Sequence, residues 1–142
     1  MTTRHLLLMT ACLLAAGGCG NFRDRAALSA GTWTLERMEL GGNIATQAES
    51  FDVEFAPQGN GVKITVGNKT HKGTYELQSD RDPKEIDIKP DASNLEDKQL
   101  YGIYALDADG QGLLLCLSPK KRPKKFETRS DNDWVLIKLR RQ

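Results

Sequence analysis

Residues 51–66 read FDVEFAPQGNGVKITV. In an extended chain Phe51, Val53 and Phe55 fall on one side, and Asp52 and Glu54 on the other. A Pro-Gln-Gly-Asn-Gly turn follows, and Val62, Ile64 and Val66 resume the alternation. A period of two with one apolar face is what antiparallel strands around a single core require. This hairpin decides the fold class, and most of the chain repeats its pattern; LYGIYALD (100–107) is instead apolar on both faces, and LLLCLS (113–118) is a dense apolar strand.

Upstream, TWTLERMEL (32–40) leads into the loop GGNIATQAES. Downstream come THKGTYELQ (70–78), EIDIKP (85–90), LYGIYALD (100–107), LLLCLS (113–118) and WVLIKLR (134–140). GNK, SDRDP and ADGQG mark turns, and SPKKRPKK breaks the chain with two prolines. Eight strand candidates, with turn signals roughly 8–12 residues apart, describe an all-β sandwich or barrel. Eight up-and-down antiparallel strands can close on themselves, which removes exposed edges. No helix longer than two turns is expected. Residues 20–30 (GNFRDRAALSA) read as a tether with one helical turn at most.

The N-terminus reads as an address. Arg4 and the free amino group precede an eleven-residue apolar run, LLLMTACLLAA (6–16), and Gly17-Gly18 then leads into Cys19. The run is too short to cross a bilayer as a helix, which takes about 20 residues. A positive start, a short apolar run and small residues form a secretory signal. AAGGC resembles the lipobox of bacterial lipoproteins, with Ala16 where that motif prefers leucine. The resemblance implies cleavage after Gly18 and lipid attachment at Cys19. Each buried methylene contributes about 0.8 kcal/mol, so two or three acyl chains anchor a protein durably. Gly20, rather than Asp, follows the cysteine, which favours the outer membrane. The expected organisation is a signal peptide (1–18), a lipidated N-terminus and tether (19–30), and a barrel domain (31–142).

Composition narrows the partners. The chain has 20 basic and 19 acidic side chains, and the signal removes one base, Arg4, and no acid. The mature protein is then formally neutral, which argues against a nucleic-acid or polyanion binder. Its size suits one domain, expected as a monomer. Cys12 leaves with the signal, and a lipidated Cys19 is a thioether. Cys116 then stands alone; without lipidation a Cys19–Cys116 bridge becomes possible in an oxidising compartment.

Gly31-Thr32-Trp33 matches the G-x-W that opens the first strand of lipocalins. A wider match runs through KGTYEL (72–77), PKEIDIKP (83–90), GIYALDADG (102–110), LLLCL (113–117), RPKKFET (122–128) and VLIKLRR (135–141). In this order and spacing they resemble the lipocalin-like domain family of uncharacterised planctomycete proteins. The resemblance implies an eight-stranded lipocalin-like barrel and supplies no chemistry. The second lipocalin motif, T-D-Y, is absent, and the loop before LYGIYALD lacks the glycines that the family leads one to expect. In such a barrel Trp33, at the start of strand one and in phase with Leu35, plugs the closed end. Strand one then lies beside the last strand, where Val135, Ile137, Leu139 and Arg141 share the inward phase. Gly31, Trp33 and Arg141 are thus expected to close the barrel, with the Arg141 guanidinium across the indole. Arg140 has the outward parity.

Candidate chemistry is sparse. DADG (107–110) lacks the later oxygen ligands of a calcium loop and reads as a hairpin turn. His71 is the one histidine outside the signal. It has neither the partners of a triad nor those of a zinc site. Cys116 sits among leucines, an inert setting for a thiol. Asn68-Lys69-Thr70 is a glycosylation sequon by pattern only. In KKRPKK, Lys120, Lys121, Arg122, Lys124 and Lys125 form a candidate contact for anionic head groups, or else a solvated loop balancing the acidic stretch 76–109. The inward residues named here are nearly all large and apolar, so the lumen is expected to be mostly filled, with at most a shallow pocket opposite Trp33. The sequence therefore leads to a non-enzymatic, membrane-tethered envelope protein with no metal and no cofactor. It takes either a small apolar ligand in the barrel mouth or a protein partner through loops such as 41–50 and 119–129.

Overall fold

The computed structural model describes residues 18–46, 49–91 and 99–142, with side chains from Gly20 onward. Residues 1–17 of the proposed signal peptide, the thiol of Cys19 and parts of two loops lie outside the described residues.

The described residues form one helix, α1 (Gly18–Leu28), and nine strands. These are β1 (Thr32–Leu40), β2 (Asn43–Ile44), β3 (Phe51–Phe55), β4 (Gly61–Val66), β5 (Lys69–Gln78), β6 (Lys84–Pro90), β7 (Leu100–Leu106), β8 (Gly112–Ser118) and β9 (Val135–Arg141). Apart from the two-residue β2, every strand lies within a residue or so of its expected sequence segment. Each pairs antiparallel with the next, and β1 also pairs with β9 from Trp33↔Arg141 to Leu40↔Val135. That last pairing closes an eight-stranded up-and-down barrel, the all-β architecture expected. β2 adds a short flap on β1 through Glu39↔Ile44 and Leu40↔Asn43. Its two-residue turn is Gly41-Gly42, with φ of 57° and 80°. Positive φ at both positions is the demand of the hairpin turn that matches strand twist, and glycine meets it without strain.

β1 carries a bulge between Leu35 and Arg37. A bulge adds one residue and shifts the side-chain parity beyond it. Trp33 and Leu35 point inward before it and Met38 after it, while Arg37 stays at the surface. Unbroken alternation would have pushed Arg37 toward the lumen.

The core is a single cluster inside the barrel. Trp33, Phe55, Tyr75, Ile86, Tyr104, Leu113 and Leu139 are among its buried members, with Leu28 of α1 beneath them. A second apolar layer lies on the outer wall of β7 and β8. There Ile103 and Cys116 are fully buried, as is Pro123 from the 119–134 loop. This explains why LYGIYAL and LLLCLS read as apolar on both faces: one face fills the lumen and the loop covers the other.

The reading of residues 20–30 as a tether with one helical turn is corrected. α1 runs three turns and docks across the base of the barrel, the end that holds Trp33. Its docking face is Asn21, Asp24, Arg25 and Leu28, the spacing of one helical side. Three of these four are polar, so hydrophobic periodicity does not reveal the face.

Candidate functional site

Two ends of the barrel invite a function. At the base, side chains satisfy one another. The Asp24 carboxylate is buried and accepts hydrogen bonds from the Tyr104 hydroxyl and the Lys84 ammonium, both at 2.7 Å. Burial, and then the Asp24 carboxylate, push the Tyr104 hydroxyl far above its ordinary pKa. Asn21 Oδ1 accepts from the Ser79 amide and hydroxyl. Arg25 donates to the Gly59 carbonyl and lies over the Tyr75 ring, 5.2 Å from its centroid. Tyr75 in turn meets Phe55 edge to face at 4.9 Å.

The structure brings Gly31, Trp33 and Arg141 together here. Trp33 is fully buried, and its indole N–H donates to the Leu28 carbonyl at 2.8 Å. The Arg141 guanidinium lies 4.7 Å from the indole centroid and also donates to the Ala27 carbonyl. Arg140 faces outward beside Glu36. A Cβ on Gly31 would meet the Arg141 stem at 3.5 Å, an ordinary contact, so closure rests on Trp33 and Arg141 rather than on a missing side chain.

The opposite end, the mouth, is less filled. An apolar pocket of about 170 Å3 opens there, lined by Val62, Ile64, Gly73, Ile88, Pro90 and Leu100, with His71 and Lys72 at its rim. The lining converges from β4, β5 and β6 and the start of β7. Gly73 is essential to its shape. A Cβ at that position would come within 2.5 Å of the Lys89 carbonyl oxygen, which is backbone and cannot swing aside. The glycine therefore permits the close β5–β6 pairing and leaves the space above it open. For scale, an apolar cavity of about 150 Å3 holds a benzene-sized molecule.

A second cleft, about 380 Å3, lies where β1 and β3 part beyond their short pairing at Thr32–Thr34. Glu36, Arg37 and Glu49 among its lining make it more polar than the mouth pocket.

The basic loop does not form one exposed patch. Arg122 lies against the outer wall, 2.7 Å from Asp87 and 3.4 Å from Glu85, and donates to the Gly102 carbonyl at 2.7 Å. Its guanidinium also approaches the Tyr101 ring. As a head-group contact Arg122 is thus already engaged, because two carboxylates on β6 hold it in place. Lys120 pairs with Asp133 at 3.2 Å, and the Lys120 ammonium holds that carboxyl below its usual range. Lys121, Lys124 and Lys125 are exposed. Only composition was visible in the sequence; Arg122 differs from its neighbours because the fold sets it beside Glu85 and Asp87.

Cys116 lies on the outer wall beneath this loop, with its thiol 3.8 Å from the Glu127 carbonyl. Burial pushes the thiol up to about 11. His71 is exposed at the mouth, on the other side of the sheet. Among the described residues no group of three or more His, Cys, Asp or Glu is placed to hold a metal ion. Asp107–Gln111 forms the β7–β8 turn, with Gly110 donating to the Asp107 carbonyl.

Comparison of the chain with protein-family models, with curated proteins and with solved structures gives no match.

Proposed function

We propose that this chain is an extracytoplasmic bacterial lipoprotein, anchored by lipid on Cys19, whose lipocalin-like barrel binds a small apolar molecule in its mouth. The apolar pocket beneath His71 carries the ligand part of this reading. Among the described residues its walls offer no buried hydrogen-bond partner, so a polar ligand would be desolvated without compensation. AAGGC supports the anchor, and the G-x-W position of Trp33 at the closed base supports kinship with the lipocalin-like family. The reading is non-enzymatic, since the Cys116 thiol is buried and His71 stands apart from it. The sequence preference for the outer membrane is kept.

The test has two arms. Native mass spectrometry of the protein from its own envelope, before and after mild denaturation, should release a small apolar mass. In solution a benzene-sized probe should shift the NMR signals of Ile64 and Leu100 saturably, and Ile64→Phe should abolish the effect by filling the pocket. Shifts that never saturate, or that survive Ile64→Phe, would exclude the pocket as the binding site.

A second reading, a protein-interaction role through the loops, draws on one observation. Leu40 and Ile44, on the β1–β2 hairpin at the mouth end, are 46% and 63% exposed. A partner crosslinked at this hairpin on intact cells would favour it.

A further inference from the structure

Helix α1 has a second face. Phe22 is 77% exposed, the most exposed large apolar side chain among those described, and Arg23 and Ala26 beside it are also exposed. The other face of the helix is fully engaged with the barrel. Asn21 is held by Ser79, Asp24 by Tyr104 and Lys84, and Leu28 is buried. Only Gly20 separates Cys19 from the first of these fixed residues, and a Cβ on Gly20 would already touch the Ser79 hydroxyl. A lipid on Cys19 would therefore have no slack. It would leave the protein one helical turn from Phe22, at the base of the barrel.

We propose that the outward face of α1 is apposed to the membrane, with the Phe22 ring inserted beside the acyl chains of Cys19. The base then faces the lipid and the mouth pocket faces away from it. This inference rests on the lipid attachment proposed above. The other exposed large apolar side chains, Leu40 and Ile44, sit at the opposite end of the barrel. One flat bilayer cannot meet both ends, and the position of Cys19 selects α1. The turns at the base carry four acids, Asp80, Asp82, Asp107 and Asp109, against one basic side chain, Arg81. These acids repel an anionic surface and tip the barrel onto the helix, whose exposed charge is Arg23.

Membrane retention cannot report this contact, because the acyl chains alone suffice for it. Depth can. The full lipidated chain, bearing a polarity-sensitive fluorophore at Phe22→Cys or at Ile44→Cys, is placed in phosphatidylcholine–phosphatidylglycerol vesicles containing lipids brominated on their acyl chains. Cys116 is buried and stays unlabelled in the folded protein. Bromine should quench the probe at position 22 several-fold more than the probe at position 44. Equal quenching, or stronger quenching at 44, overturns the orientation. Intact mass separates the two failures. With acyl mass on Cys19 and co-flotation with the vesicles but no quenching at 22, only the face assignment falls. With no acyl mass, the anchor reading falls and takes this inference with it.

Discussion

At the scale of single residues, Trp33 ties the helix, the first strand and the last strand together at the base. It is fully buried, donates its N–H to Leu28, packs under Arg141 and pairs with Val53 on one side and Arg141 on the other. Truncating a large buried aromatic costs about 3–5 kcal/mol. A domain of this size has about 5–15 kcal/mol in total. Trp33→Ala should therefore lower the thermal midpoint severely, whereas Trp134→Ala, at a half-buried position just before β9, should lower it less. Melting curves followed by circular dichroism compare the two directly, and an equal or reversed ranking would remove Trp33 from its place as the plug. The alternation of TWTL already put the indole inward, and the parity of VLIKLRR already put Arg141 rather than Arg140 on the same side. What parity could not supply is the partner of the indole N–H, a carbonyl from a helix that the sequence pattern did not reveal.

Elements were legible in proportion to how much of their burial is apolar. Six of the eight barrel strands announce themselves through alternation, because one face of each meets the core, and β7 and β8 through dense apolar runs. The two-sided apolarity of β7 and β8 was visible as well, but its cause lies in a distant loop pinned by Arg122 to Glu85 and Asp87. Helix α1 was not legible, because it docks through an asparagine, an aspartate and an arginine whose partners come from five separate turns and strands. The same chemistry makes the helix testable. In Asp24→Ala the Tyr104 hydroxyl loses its buried acceptor, a loss of about 1–3 kcal/mol. The Lys84 contact adds little, since that side chain is 42% exposed and water replaces its partner. Hydrogen exchange should therefore speed up at the amides of residues 21–28, with those in the middle of β6–β8 keeping most of their protection. If exchange in α1 is unchanged, Asp24 is not what holds the helix to the base.

At the scale of the molecule, the barrel divides into a filled half and a partly open half. Trp33, Phe55, Tyr75, Tyr104 and Leu139 occupy the base, and α1 seals it from below. Toward the mouth the side chains shorten to Ile64, Ile88 and Leu100, and Gly73 contributes none, which leaves the 170 Å3 pocket. An inward phase that is nearly all large and apolar predicted little free lumen. The position of the remaining space depended on register, which aligns Gly73 with Val62 on one side and Pro90 on the other. Pockets for drug-sized ligands occupy about 300–1,000 Å3, so this one admits a small molecule and not a long acyl chain. A chain of that length would have to displace the aromatic rings of the base, whose packing holds the domain together. A lipid-free protein beginning at Asn21 should therefore show no saturable binding of long-chain fatty acids in a fluorescence displacement assay. The benzene-sized probe should still bind the same preparation. Tight, stoichiometric fatty-acid binding would mean that the base opens. Trp33→Ala would then raise the affinity further rather than merely destabilise the fold.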